Sequence, residues 1–235
     1  MSEMIEAQGL AKYFGRFSAL RDVNLTVRRG QFIALFGRNG AGKTTFLRIL
    51  AGLSRPSAGS VGIKNPDPQS PQAARGSMGY LSHNTALYMD LTALENLRFY
   101  ARLMGLPLKD GELEREIDRV GLSGRAHEPV RNYSRGMQQR LGIARAFLHD
   151  PSILLLDEPF TGLDRGGAEF LKRYLAAAHA GGKTLIMAIH DVALGYELAD
   201  RLVVIERGVV ALDAMKHYLS LAEFEGLYQT IAKEH

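Results

Sequence analysis

The segment Gly37-Arg38-Asn39-Gly40-Ala41-Gly42-Lys43-Thr44-Thr45 constrains everything around it. Its spacing, Gly-x-x-x-x-Gly-Lys-Thr, is that of a phosphate-binding loop, the P-loop. An apolar run, Phe32 to Phe36, leads in and is expected to be a buried strand. A helical stretch from Lys43 to Leu50 leads out, with Phe46, Leu47 and Leu50 at helical spacing. Strand, loop and helix in that order are the context the motif requires. Glycines let backbone N–H groups converge on an anion with no Cβ in the way. The helix N-terminus adds a partial positive charge. Lys43 is then expected to reach the β- and γ-phosphates, and the Thr44 hydroxyl to ligate Mg²⁺. The motif implies a nucleoside triphosphate and leaves open what its energy drives.

The chain has 235 residues, enough for one large α/β domain or a core with an inserted subdomain. A hydrophobic content of 46% fits a globular fold. The net charge of +4 is mildly basic, and no Lys/Arg block supports a nucleic-acid partner. The absence of cysteine excludes disulfides and thiolate metal sites. The start of the chain, Met1 to Glu6, has no apolar signal region. No apolar run approaches the roughly 18 residues of a membrane span. The expectation is a soluble, cytosolic chain.

Met4–Phe14 and Val23–Val27 read as strands, with Tyr13, Phe14 and Phe17 clustered around Gly15 in a loop. Ser60–Lys64 and Met78–Ser82 are further strands, and Asn65–Gly76, with three prolines, is an exposed connection. From Thr92 the pattern turns helical. Thr92 and Glu95 form a capping box, with Leu94, Leu97, Ala101 and Met104 on one face. Leu113, Ile117 and Val120 mark a second helix, and Ser134 caps a third with Met137, Leu141, Ala144 and Leu148 inward. Strand patterns return at Ile153–Leu156 and Thr184–Ile189, with helices at Gly166–Ala180 and Asp191–Ala199. A hairpin at 202–212 and a helix at Ser220–Ile231 complete the chain. The fold class expected is α/β: a P-loop core with a mostly parallel sheet, an N-terminal antiparallel β subdomain and an inserted helical subdomain. The expected parts are 1–82 with 150–212 as core, 83–149 as insertion, and 213–235 as a helical tail.

The run Ile153–Leu156 ends in Asp157-Glu158-Pro159. In open α/β sheets ligands bind at the carboxyl ends of strands. Asp157 can there meet the Mg²⁺ held by Thr44, and Glu158 can orient or deprotonate an attacking water. Acidic residues leaving a strand can also simply face solvent. Ser134, with Gly136 beside it, opens a helix whose end could bind an anion, and is equally a plain N-cap. His190 follows the strand 184–189, where a γ-phosphate contact could sit; a lone histidine at a strand end is more often structural.

Together, and in this order, these segments resemble the ATP-binding subunit of an ABC transporter over nearly the whole chain. The resemblance rests on Gly37–Thr45, Tyr133–Gln138, Asp157-Glu158-Pro159, Gly162-Leu163-Asp164 and His190. It implies an ATPase with ATP and Mg²⁺ as ligands, in which two copies pack head to tail around two ATP molecules. Ser134 and Gly136 of one copy would cap the γ-phosphate held by the other. Tyr13 would stack on adenine, and Asp164 would lie between the copies. The helical insertion would receive a transmembrane partner, placing the chain on the cytoplasmic face of the membrane. His83 stands where the family usually has glutamine, and is expected to keep a γ-phosphate or water-mediated metal contact. Arg135 and Met137 also depart from the family pattern. The segments 79–83, 91–97 and 134–137 are similar to the haem-exporter ATPases of cytochrome c biogenesis, and to drug- and polysaccharide-export ATPases. The alternatives are a soluble ATPase of the same fold acting on nucleic acid, ribosomes or cofactor assembly, a small-molecule kinase, and a catalytically silent switch, against which Glu158 argues.

Overall fold

The computed structural model describes residues 3–64, 78–82 and 85–233. The expected connection Asn65–Gly76 and the candidate His83 lie outside the described residues.

Strands β1 (Glu3–Phe14) and β2 (Phe17–Arg28) form a long antiparallel hairpin. The expected loop around Gly15 is only a two-residue turn, because Phe14 pairs directly with Phe17. Gly15, at φ +58°, supplies the positive dihedral that so short a turn needs. β2 therefore begins well before the Val23 expected from alternation. β4 (Ala58–Ile63) pairs with the other edge of β1, giving the order β2-β1-β4.

The main sheet has the order β5-β6-β7-β3-β8-β9. β5 (Met78–Leu81), β6 (Ile153–Asp157), β7 (Thr184–Ala188), β3 (Phe32–Phe36) and β8 (Arg201–Glu206) are parallel, and β9 (Val209–Met215) closes the edge antiparallel. Every residue of β3, β6 and β7 is buried. Such strands are covered on both faces, hence their unbroken apolar runs. β7 pairs with both β3 and β6: Ala188 lies beside Leu35 on one side and Asp157 on the other. This register brings the loop after β3 and the acidic end of β6 to one edge of the sheet.

Helix α1 (Lys43–Leu50) follows the P-loop and packs toward the β1–β2 side of the sheet. Between β5 and β6 the chain forms α2 (Ala93–Leu103), α3 (Asp110–Arg119) and α4 (Arg135–Phe147). Leu94, Leu97 and Ala101 of α2 are buried with Leu113, Ile117 and Leu141. Met104, expected on the same face, is the C-cap of α2 and is 41% exposed. The Thr92–Glu95 capping box is present. One turn on, buried Asn96 accepts from Tyr88 N–H and donates to the carbonyls of Tyr88, Leu91 and Thr92. It fixes the chain that enters α2.

Helices α5 (Arg165–Ala180), α6 (Val192–Leu198) and α7 (Leu221–Lys233) complete the fold. Asp164 and Asp191 cap α5 and α6 through their side chains. Among the described residues, no helix is long and apolar enough to cross a membrane.

Candidate nucleotide-binding site

The P-loop is shaped by crowding as much as by dihedral freedom. Gly37 has φ +148°, and a Cβ there would sit 2.1 Å from the Ile205 carbonyl oxygen. Gly42 has φ +115° and comparable crowding, with the Ala19 oxygen 2.6 Å away. Both positions require glycine, since backbone atoms cannot be pushed aside as a side chain can.

Lys43 is the second residue type the pattern demands. It is only 6% exposed, and its Nζ donates to the Gly37 and Arg38 carbonyls at 2.7 and 3.2 Å. Burial pulls its pKa below the usual lysine value, while Glu158, Asp157 and Glu206 pull it back up. The ammonium is thus stored against the loop it serves.

Thr44 Oγ1 donates to Asp157 Oδ1 at 3.0 Å. These residues are far apart in sequence and meet because β3 and β6 flank β7. Asp157 is 2% exposed. A hydroxyl and a buried carboxylate are hard oxygen donors of the kind Mg²⁺ takes. Among the described residues no group of three or more acidic or histidine side chains could hold a metal alone. That suits Mg²⁺, which is usually held by one or two protein oxygens together with substrate phosphates.

Glu158 leaves β6 with φ +53°, uncommon for a residue with a side chain. Its N–H donates to the Ala188 carbonyl at 3.0 Å, which fixes the turn. His190 Nε2 lies 2.5 Å from Glu158 Oε1, so the two sequence candidates meet. Glu158 also lines a cleft of ≈ 330 Å³ with Phe14, Phe17, Ala19 and the loop from Arg38 to Thr45. A larger open cleft of ≈ 870 Å³, by Gly30, Asp200 and Tyr218, lies at the opposite ends of the strands and shares no residue with the P-loop.

Four candidates sit elsewhere. Tyr13 does not line the cleft; the aromatic wall is made by Phe14 and Phe17, the pair that closes the hairpin. Ser134 caps α4, its Oγ accepting from Met137 N–H at 3.3 Å, and neither Ser134 nor Gly136 lines the cleft of its own chain. Asp164 accepts from Gly167 N–H at 2.7 Å.

Arg135 and Met137 have packing roles. Arg135 lies across Gly162, where a Cβ would come within 2.6 Å of its Nε. Met137 is partly buried against the helical core. Sequence reasoning missed Gln139, whose buried Nε2 donates to the Pro159 carbonyl at 2.9 Å and ties α4 to the turn carrying Glu158. Its only sequence signal is a polar residue on the apolar stripe of α4.

A parallel sheet with a phosphate loop after one strand and a Thr–Asp contact across to another defines a P-loop nucleotide-binding domain. The family model for ABC transporters matches residues 20–161, and the chain belongs to that family as an ATP-hydrolysing domain. It is 36% identical over 209 residues to the uncharacterized ABC transporter ATP-binding protein YdbJ of Bacillus subtilis, covering 88% of this chain and 68% of that protein. The sulfate/thiosulfate import ATP-binding protein CysA 2 of Rhizobium meliloti is 37% identical over 215 residues, covering 88% and 58%. The Nod factor export ATP-binding protein I of Cupriavidus pinatubonensis is 35% identical over 224 residues, covering 93% and 68%. The chain thus spans between 58% and 68% of the length of these relatives. Among solved structures, an ATP-binding subunit of an ABC transporter superposes with a TM-score of 0.85 at 29% identity, covering 98% of this chain and all of that one. The dimeric post-hydrolysis state of the cassette MJ0796, bound to ADP and Pi, gives 0.80 at 26% identity, covering 91% and 99%.

Proposed function

We propose that this chain is the ATP-hydrolysing motor of a membrane transporter, working as a head-to-tail pair of copies with Mg²⁺-ATP between them. The contact between Thr44 and Asp157 carries the reading, because it joins the phosphate loop to the acidic strand end at the position a triphosphate's metal requires. The loop from Arg38 to Thr45 directs its amides at the phosphates, and Lys43 exchanges its two carbonyl partners for phosphate oxygens. Thr44 and Asp157 would hold Mg²⁺, which would supply neutralisation of phosphate charge. Glu158 accepts the proton of the attacking water, and His190 holds that carboxylate in place. His83, next to β5, is proposed to reach the same phosphate or the metal's water.

One chain leaves the cleft open on its outer side. Ser134 and Gly136 stand at an exposed helix end away from their own cleft, where a second copy could use them as a γ-phosphate cap. Asp164, at the start of α5, then lies between copies. The dimeric state of MJ0796 supports this arrangement. Phe14 and Phe17, rather than Tyr13, are placed to meet the base.

The inserted segment 83–149 is proposed to receive the transmembrane partner, with the chain peripheral on the cytoplasmic face of the membrane. Its exposed Tyr88, Met89, Phe99 and Leu103 support this, because clustered apolar surface on a soluble domain marks an interaction site. The cargo proposed is haem, exported for cytochrome c biogenesis. This rests on segments 79–83, 91–97 and 134–137 alone, since the relatives are named for an imported anion and an exported Nod factor.

The test is Glu158→Gln, read by ATP binding, phosphate release and size-exclusion chromatography. The variant is expected to bind ATP, to lose at least about a hundredfold in turnover, and to elute as an ATP-dependent dimer. Turnover at the normal rate would overturn the role of Glu158. A monomer that binds ATP tightly would overturn the paired arrangement.

A further inference from the structure

The C-terminal helix has no part in the site described above, yet it reaches the phosphate loop from behind. Phe224 of α7 is fully buried. Its ring lies 4.9 Å from that of Phe36, the last residue of β3, and Tyr228, one turn on, lies 6.2 Å from the same ring. The next residue in the chain is Gly37, the first of the P-loop. At the far end of the helix the Ala232 carbonyl receives Arg38 Nη1 at 3.5 Å. Phe36 and Arg38, the residues on either side of Gly37, therefore each have a contact on α7.

Crowding makes those contacts consequential. Gly37 is already wedged against the Ile205 carbonyl of β8, with no room for a Cβ. Its two neighbours in the chain are packed on α7. Lys43 also donates to the Gly37 carbonyl, a bond it must release to engage a phosphate. With Lys43 withdrawn, the Gly37 peptide is held by β8 and, through its neighbours, by α7.

We infer that α7 braces the phosphate loop, and that Tyr228 is a positioning residue for nucleotide binding. Its ring packs against Phe36, the residue that leads into Gly37, so that the amides that follow are presented to a phosphate without reordering. Pre-ordered donors bind more tightly because less entropy is lost on binding. The contact is remote from the base and from Glu158, so it acts on phosphate affinity and leaves the chemical step alone. The inference rests on the nucleotide reading of the P-loop and is independent of dimerisation.

The experiment uses the full chain and compares wild type, Tyr228→Leu, Phe224→Leu and Lys43→Ala. Equilibrium titrations with ATP, ADP and adenosine are paired with melting curves and steady-state hydrolysis. Tyr228→Leu is expected to raise the Kd for ATP and ADP by about three- to tenfold, the order of one lost packing contact behind the loop. Adenosine binding and kcat should stay near wild type well below the Tm. Phe224→Leu, which thins the same brace while keeping it apolar, should shift Kd the same way. Lys43→Ala reports on the underlying reading: if wild type and Lys43→Ala bind ATP equally, the P-loop assignment itself fails. If Lys43→Ala loses ATP while Tyr228→Leu binds like wild type, the brace is wrong. A Kd change that appears only near a lowered Tm, and vanishes at lower temperature, would also overturn it.

Discussion

His190 Nε2 stands 2.5 Å from Glu158 Oε1, across the gap between the ends of the neighbouring strands β7 and β6. The Glu158 turn is held from the same side, by its N–H bond to Ala188. Both the backbone and the carboxylate of Glu158 are thus anchored on the β7 edge. A carboxylate fixed at one oxygen keeps the other free to meet a water.

His190→Ala removes one of those two anchors. Hydrolysis is expected to fall by about a hundredfold, while ATP affinity stays within about threefold because the P-loop is untouched. Phosphate release and nucleotide titration measured side by side separate the two. A normal rate with a lowered Tm would make His190 a structural residue.

Lys43 gives the site a pH dependence of known sign. Burial sets its folded pKa below 10.5, more strongly than Glu158, Asp157 and Glu206 raise it. A phosphate binds the charged ammonium, so affinity is full below the lowered value and is lost as pH rises through it. Titrating ATP binding upward from pH 7 should show Kd climbing before pH 10.5 is reached. Loss of the same lysine proton has the opposite sign for folding. Between the two pKa values the unfolded chain holds more protons, so this group's contribution to stability rises with pH. A weakening of binding over that range is therefore not this lysine unfolding the chain. A Kd flat up to pH 10.5 would contradict the lowered pKa.

Much of the core could be read because its physics is local. Ile153–Leu156 and Phe32–Phe36 are unbroken apolar runs, as strands covered on both faces must be. The Thr92–Glu95 box and the caps Ser134 and Asp191 are written within four residues of the helices they start. What could not be read depends on partners distant in sequence. Nothing near Gln139 points to the Pro159 carbonyl, and nothing near Tyr228 points to Phe36. The start of β2 is not legible because Phe17 and Ser18 belong to no clear alternation, and their strand state comes from pairing with β1. Tyr13 is the aromatic residue that the resemblance implies, whereas the rings lining the cleft are those of Phe14 and Phe17. Met104 followed the helical period but fell where α2 ends, so its expected burial never arose.

Asn96 illustrates a cost hidden in the inserted helices. It is fully buried, and its amide meets four backbone groups at the entrance to α2. Asn96→Leu fills the volume but leaves those donors and acceptors buried and unpaired. A loss of about 2–4 kcal/mol is expected, since each such group costs roughly 1–3 kcal/mol and some regain water. Denaturant unfolding followed by circular dichroism measures it. Stability within about 0.5 kcal/mol of wild type would show that the segment 88–92 is held by other contacts.

The two aromatic candidates for the base can be separated by substitution. Phe14 lines the cleft beside the P-loop, and Lys12 Nζ lies 5.1 Å from its ring centroid. Tyr13 is half-exposed on the same strand, where neighbouring side chains point to opposite faces. Stacking on a base is worth roughly 1–3 kcal/mol by truncation. Phe14→Ala should therefore weaken ATP binding by about five- to a hundredfold, with kcat at saturating ATP little changed because the ring is remote from the γ-phosphate. Tyr13→Ala should shift Kd by less than about twofold, the surface-substitution range. ATP titrations of both variants decide the matter. The reverse ranking would put Tyr13 on the base, and would mean that the end of the hairpin rotates when nucleotide enters.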